Sequence, residues 1–272
     1  MIGQNRIKSR VEYLLDNETL PQFIIIQGSR GSGKTMVAKW IAERTMSSIE
    51  VVSTGTQAIK DLVEDAYSTT SELKTYIIKD ADMMRAEGAN ALLKISEEPP
   101  ENVRIIMTYT SGEYILPTIK SRALHFVMDV YTREELQEYI KGTDIDEKVL
   151  NVAETIGDIE ILKEYDMGKF LSSVESVVDN IATVSGANAF KVGNMVALKN
   201  DDKGYDLTVF LKAFMKKCES RVFNSVDDEV ERMMYARAML VASKYISELN
   251  IKSTNKQHVM DMFILDIRKV WM

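Results

Sequence analysis

Eight consecutive residues, Gly28-Ser29-Arg30-Gly31-Ser32-Gly33-Lys34-Thr35, carry the most specific chemistry in the chain. They match G-x-x-x-x-G-K-[ST], a loop whose glycines let backbone N–H groups curl around a polyphosphate. The Lys34 ammonium can then reach the β- and γ-phosphates, and the Thr35 hydroxyl can ligate Mg²⁺. A plain glycine turn with a chance lysine is the competing interpretation. The flanks argue against it, because Phe23-Ile24-Ile25-Ile26 is strand-like and Met36 to Ala42 has a helical pattern. A helix starting inside such a loop adds the partial positive charge of its N-terminus. The implied ligand is ATP or ADP.

Other reactive residue types are sparse. His125 lies in a strand pattern and His258 in a terminal helix, and neither has a second histidine or cysteine at ligand spacing, so both read as structural. Cys218 is the only cysteine, which excludes an internal disulfide and a multi-cysteine zinc site. Glu97 and Glu98 precede Pro99-Pro100, a setting that suits a helix-end or loop contact better than acid–base catalysis.

The elements that must position the loop alternate. Ile7, Val11, Leu14 and Leu15 mark one helix face, ended by Leu20-Pro21. After the loop and its helix come a short strand at Glu50–Ser53, a helix through Ile59, Leu62, Val63, Ala66 and Tyr67, and a buried-type strand at Tyr76–Ile78. A helix from Glu87 to Ser96 follows, then strands at Val103–Met107 and Leu124–Val127. Such alternation predicts a largely parallel sheet with helices on both faces.

Beyond about Val130 the strand signals stop. Thr132-Arg133-Glu134-Glu135 is a capping box that opens a small helical stretch. Loop-like composition at Ser185–Asn188 and Asn200–Gly204 frames the next boundary. From Asp206 onward the pattern is of long amphipathic helices, the last starting at Thr254. The expected division is a nucleotide-binding domain over 1–130, a small helical domain over 131–185 and an all-helical domain over 186–272.

The composition is that of an ordinary globular protein, with 45% hydrophobic and 28% charged residues. A net charge of −7 does not describe a general nucleic-acid binder, so any DNA contact must be local or shared with partners. No signal-peptide pattern follows Met1, and no apolar run approaches the roughly 20 residues of a membrane helix. A cytoplasmic location without membrane contact is the expectation.

Four further segments carry a family resemblance. Tyr76-Ile77-Ile78-Lys79-Asp80-Ala81-Asp82 stands where an acidic nucleotide motif belongs. Ala89-Asn90-Ala91-Leu92-Leu93-Lys94 leads into Glu97-Glu98-Pro99-Pro100, then come Thr108-Tyr109-Thr110 and Leu116-Pro117-Thr118-Ile119-Lys120-Ser121-Arg122. In this order they closely resemble the AAA+ subunits of bacterial DNA polymerase III clamp loaders, the delta-prime and gamma/tau subunits. The resemblance implies an α/β AAA+ P-loop domain, a helical lid and a C-terminal collar through which subunits form a ring. It assigns Ile2 and Gln4 to a box beside the adenine, Thr108 or Thr110 to the sensor of the γ-phosphate, and Arg122 to an arginine finger acting in trans. A surface arginine capping a helix C-terminus is the competing reading of Arg122. Implied partners are gamma/tau-like and delta-like subunits, a sliding clamp and primed DNA. Arg85 falls where clamp loaders approach DNA phosphate, and a solvated arginine fits there equally well.

Departures from the pattern matter as much. Active subunits carry Asp-Glu-Ala-Asp, whose first Asp holds Mg²⁺, whereas Lys79 and Asp80 occupy the first two positions here. An ammonium repels the metal, so a site of Thr35 with Asp80, or Asp82 in compensation, would hold it weakly. Glu160 falls roughly where the family places a phosphate-sensing lid arginine. The family's four-cysteine zinc insertion is missing between Val52 and Tyr76, so no zinc is expected. The collar-like helices end the chain at Met272, unlike the extended tau form. These features favour a delta-prime-like subunit with little ATPase of its own. A gamma-like motor is the alternative, and another AAA+ DNA-remodelling ATPase ranks third.

Overall fold

The computed structural model describes residues 1–68, 72–110, 115–180, 204–225, 228–249 and 255–271. They fall into two compact units, Met1–Tyr139 and Ile140–Met272.

In the first unit, runs of β-branched residues form a five-stranded parallel sheet in the order β2-β3-β4-β1-β5. Its strands are β1 (Phe23–Gln27), β2 (Ser48–Val52), β3 (Lys74–Ile78), β4 (Val103–Tyr109) and β5 (Leu124–Val127). Helices α1 (Asn5–Asp16), α2 (Lys34–Arg44), α3 (Thr56–Ser68), α4 (Ala86–Glu97), α5 (Pro117–Lys120) and α6 (Arg133–Ile140) alternate with them.

Side chains alternate across a strand, so each strand feeds two cores. Phe23, Ile25, Tyr76, Ile78, Ile105 and Met107 face Ile59 and Leu62 of α3 and Leu92 and Ile95 of α4. Ile24, Ile26, Ile77 and Ile106 face Ile7 and Val11 of α1 and Val37 and Ile41 of α2. The register Ile25↔Met107 and Ile25↔His125 sets β1 between β4 and β5, while the chain leaving α2 crosses to β2 at the far edge. A crevice outside the strand C-termini is the standard ligand position in such a sheet, and the loop of residues 28–33 leaves from there.

Local rules fix the helix ends. In the Thr132 capping box, Thr132 N–H donates to Glu135 Oε2 at 3.0 Å and Glu135 N–H to Thr132 Oγ1 at 3.2 Å. The first helix stops at Asp16, five residues before Pro21. The chain turns there through Glu18 at φ 54°, and Thr19 N–H closes onto Leu14 O at 2.8 Å. That turn, and not the proline, ends the helix.

The second unit contains a 3₁₀ turn (Glu147–Asn151) and helices α7 (Ile156–Leu162), α8 (Met167–Asn180), α9 (Leu207–Asn224), α10 (Glu229–Leu249) and α11 (Lys256–Trp271). The boundary segments Ser185–Asn188 and Asn200–Lys203, and Thr254, lie outside the described residues. Aromatic rings knit the helices together: Phe170 of α8 meets Phe210 of α9 at 6.1 Å, and Phe214 of α9 meets Phe263 of α11 at 5.3 Å, both edge-on. Cys218 is fully buried in α9, and burial pushes its thiol up to about 12.

One buried ion pair ties α7 to α9. Asp158 completes a capping box with Thr155 at the start of α7 and accepts from Lys212 Nζ at 2.8 and 3.0 Å. The two side chains are 7% and 13% exposed. Asp158→Ala therefore removes the carboxylate half of the capping box, which accepts from Glu154 and Thr155 N–H, and leaves the Lys212 ammonium with Glu154 at 3.5 Å. The expected cost is about 3 kcal/mol, read as a lower midpoint in urea with unchanged slope.

Candidate functional site

The strand β1 ends in Gln27, and Gly28 N–H donates to Tyr109 O at 3.2 Å, so the phosphate loop is anchored to β4 at its first residue. A Cβ on Gly28 would lie 2.6 Å from Met128 Cγ and 2.7 Å from Ser32 Oγ, distances no side chain tolerates. Gly31 and Gly33 hold φ of 80° and 88°, the left-handed region that L side chains resist. Ser32 N–H closes onto Ser29 O at 3.2 Å, and α2 starts at Lys34. Ser29 and Arg30 are exposed at the outer turn of the loop.

Lys34 is 7% exposed. Its ammonium donates to Gly28 O and Ser29 O at 2.9 Å each and to Thr110 Oγ1 at 3.3 Å. Burial pulls its pKa down, opposed by the charges of Asp80 and Asp82. The two carboxylates therefore act on the same ammonium. Asp82 Oδ2 accepts from Thr110 N–H at 3.0 Å, which draws Lys34, Thr110 and Asp82 into one connected group.

The residues fit a polyphosphate. Ser32 Oγ is buried and has no hydrogen-bond partner, a costly state for a hydroxyl unless a ligand or water satisfies it. That orphan, the Cβ-free positions 28 and 33 and a desolvated cation together make an anion cradle. For a divalent cation the fit is weaker. Thr35 is half-buried and Asp80 exposed, and no cluster of three or more metal-ligating acidic, histidine or cysteine side chains occurs among the described residues. Lys79 is exposed at the end of β3.

The threonines divide the work differently from their sequence order. Thr108 is 1% exposed, and its hydroxyl accepts from Asp80 N–H at 3.3 Å. That bond supports the left-handed turn at Asp80, φ 52°. Thr110, two residues on, is the one that touches Lys34. Between them Tyr109 is buried and donates to Gln27 Oε1 at 2.9 Å. Its hydroxyl also lies 2.6 Å from His125 Nε2, so His125 is structural.

The N-terminal box is built by a reciprocal pair. Gln4 is 3% exposed, and it donates to Asp129 O at 2.9 Å while accepting from Asp129 N–H at 2.8 Å. Gly3 and Gln4 turn through φ of 65° and 57°. Ile2 is half-buried beside them in the chain. Tyr131, which sequence reasoning passed over, fills the space between this box and the phosphate loop. Its ring lies against Gly3 and its hydroxyl against Gly33. The one sequence signal for it is an aromatic hydroxyl directly before the Thr132 capping box.

Arg122 follows α5 and is 37% exposed at its side chain. It donates from Nη1 to Thr118 O at 2.7 Å and from Nη2 to Glu97 Oε1 at 3.0 Å. The capping contact and the ion pair coexist, and Glu97 makes the helix-end contact expected of it. In the second unit Glu160 is paired with Lys163 at 2.8 Å.

Residues 46–131 match the family model described as DNA polymerase III, delta subunit. The DNA polymerase III subunit gamma of Buchnera aphidicola subsp. Schizaphis graminum is 24% identical over 249 residues, 78% of this chain and 66% of that protein. The chain spans less than two thirds of the length of such relatives. A gamma-subunit-related protein of Thermotoga maritima superposes with a TM-score of 0.52 at 19% identity, over 96% of this chain and 99% of that one. The RuvB Holliday junction branch migration motor of the same organism gives 0.53 at 17%, over 91% and 85%. The sequence matches are thus to subunits of DNA polymerase III, described as delta in the family model and as gamma or gamma/tau in the relatives. The structural likenesses show a shared fold and no more.

Proposed function

We propose that the chain is a delta-prime-like clamp-loader subunit that binds ATP or ADP, organises a ring and supplies Arg122 to a neighbour's nucleotide site. The ring would couple ATP to the loading of a sliding clamp onto primed DNA, with gamma/tau-like and delta-like subunits as companions. Residues 131–185 would act as lid and 186–272 as collar. The observation that carries this reading is an intact phosphate cradle beside a strand end where Lys79 stands in place of a metal-binding carboxylate. Such a site retains nucleotide but lacks one means of neutralising charge on a transferring phosphoryl group. If Mg²⁺ binds, Thr35 with Asp80 or Asp82 would hold it.

A gamma-like motor is the second reading, favoured by the two carboxylates acting on Lys34. Phosphate release by the homogeneous subunit separates the two. The expected rate is indistinguishable from that of Lys34→Ala. Robust hydrolysis that Lys34→Ala removes would show that Asp80 or Asp82 restores the metal site, and would make the chain a motor.

A further inference from the structure

The hydroxyl of Tyr131 donates to Ser32 O at 3.0 Å, and both residues are buried. This contact joins the segment after β5 to the middle of the phosphate loop, 99 positions away in sequence. It is made at a place where the loop has no side chain of its own: a Cβ on Gly33 would lie 3.2 Å from the Tyr131 hydroxyl. The ring is held from the other side, because a Cβ on Gly3 would lie 3.0 Å from Tyr131 Cε1.

A trans peptide unit points its C=O and the following N–H in opposite directions. Fixing the Ser32 carbonyl outward on Tyr131 therefore aims the Gly33 N–H toward the inside of the loop. Gly33 is the residue least able to fix that orientation unaided, since glycine crosses between conformations at little cost. We propose that Tyr131 is a positioning residue for phosphate binding: its hydroxyl locks the Ser32–Gly33 peptide so that the Gly33 N–H is preset as a phosphate donor. The inference rests on the nucleotide-binding reading of the loop. It concerns the anion and not the base, because the bonded partner is loop backbone.

Tyr131→Phe keeps the ring and its packing on Gly3 and removes only the hydroxyl, so the fold is retained. Calorimetry on the full chain with ADP and with inorganic pyrophosphate gives the test. The expected result is a loss of affinity of about five-fold for both ligands, the value of one hydrogen bond. The Gly33 amide resonance should also shift in the unliganded protein. Unchanged affinity for both ligands, or a loss for ADP with pyrophosphate unaffected, would overturn the inference; the latter would place Tyr131 on the base or ribose. A wild-type chain that binds neither ligand at millimolar concentration would instead remove the nucleotide reading on which the inference stands.

Discussion

Arg122→Ala is expected to lower the DNA- and clamp-stimulated ATPase of the proposed ring by about ten-fold or more, while folding, nucleotide binding and assembly stay nearly unchanged. A guanidinium placed on a neighbour's transferring phosphoryl group contributes roughly 10³–10⁵ in rate. In the single chain this guanidinium is occupied by Thr118 O and Glu97, both on its own subunit. Those contacts are partly exposed and together contribute at most about 1 kcal/mol. A neighbour's triphosphate offers a denser negative charge, so the side chain can be drawn off them at small cost. Arg122→Lys should not restore full activity, because an ammonium lacks the planar fork. The capping interpretation predicts the reverse pattern, with a slightly lower melting temperature and normal complex ATPase. Measuring both on one variant decides between them, and normal ATPase would leave Arg122 as a helix cap.

The second large effect is on ligand binding. Lys34→Ala should abolish nucleotide binding at millimolar ATP or ADP, because the variant loses the one buried cation in the loop. Apo stability should change little, because two effects of the substitution oppose each other. Desolvation depresses the Lys34 pKa in the folded chain, so at neutral pH the charged form costs folding free energy. Removing it relieves that cost while forfeiting hydrogen bonds to Gly28 O and Ser29 O. Thermal unfolding with and without ligand reads both quantities. Ligand at about 100 times its dissociation constant stabilises wild type by roughly 2.7 kcal/mol, and the variant should show no ligand-dependent shift. A wild-type-sized shift in Lys34→Ala would mean that the nucleotide binds elsewhere.

The phosphate loop was legible in the sequence because its requirements are local. Glycines at 28, 31 and 33 and a lysine at 34 are needed wherever backbone must curl around an anion, and strand and helix periods flank them. The parallel sheet was legible for a similar reason: strands buried on both faces read as continuous apolar runs, as in Phe23–Ile26 and Tyr76–Ile78. Boundaries moved where short-range hydrogen bonding overrode the pattern, as at Glu18, whose left-handed turn ended α1 ahead of Pro21.

What the sequence determined by itself is thus the phosphate-loop pattern, the alternation of elements and the presence of Lys79 and Asp80 after β3, all set by spacing along one stretch of chain. Tertiary structure alone decided which of two threonines meets Lys34. Both sit at the end of β4, but Thr108 is buried against Asp80 N–H, whereas Thr110 lies beyond the last strand residue, Tyr109, within reach of the loop. It likewise decided that Tyr131 and Gln4, 127 positions apart by number, close around Gly3 and Gly33. No periodicity encodes such contacts. They arise because parallel strand order brings the C-terminal ends of β1 and β5 side by side, and a hydroxyl carried just past one end then finds a backbone carbonyl of the loop that leaves the other.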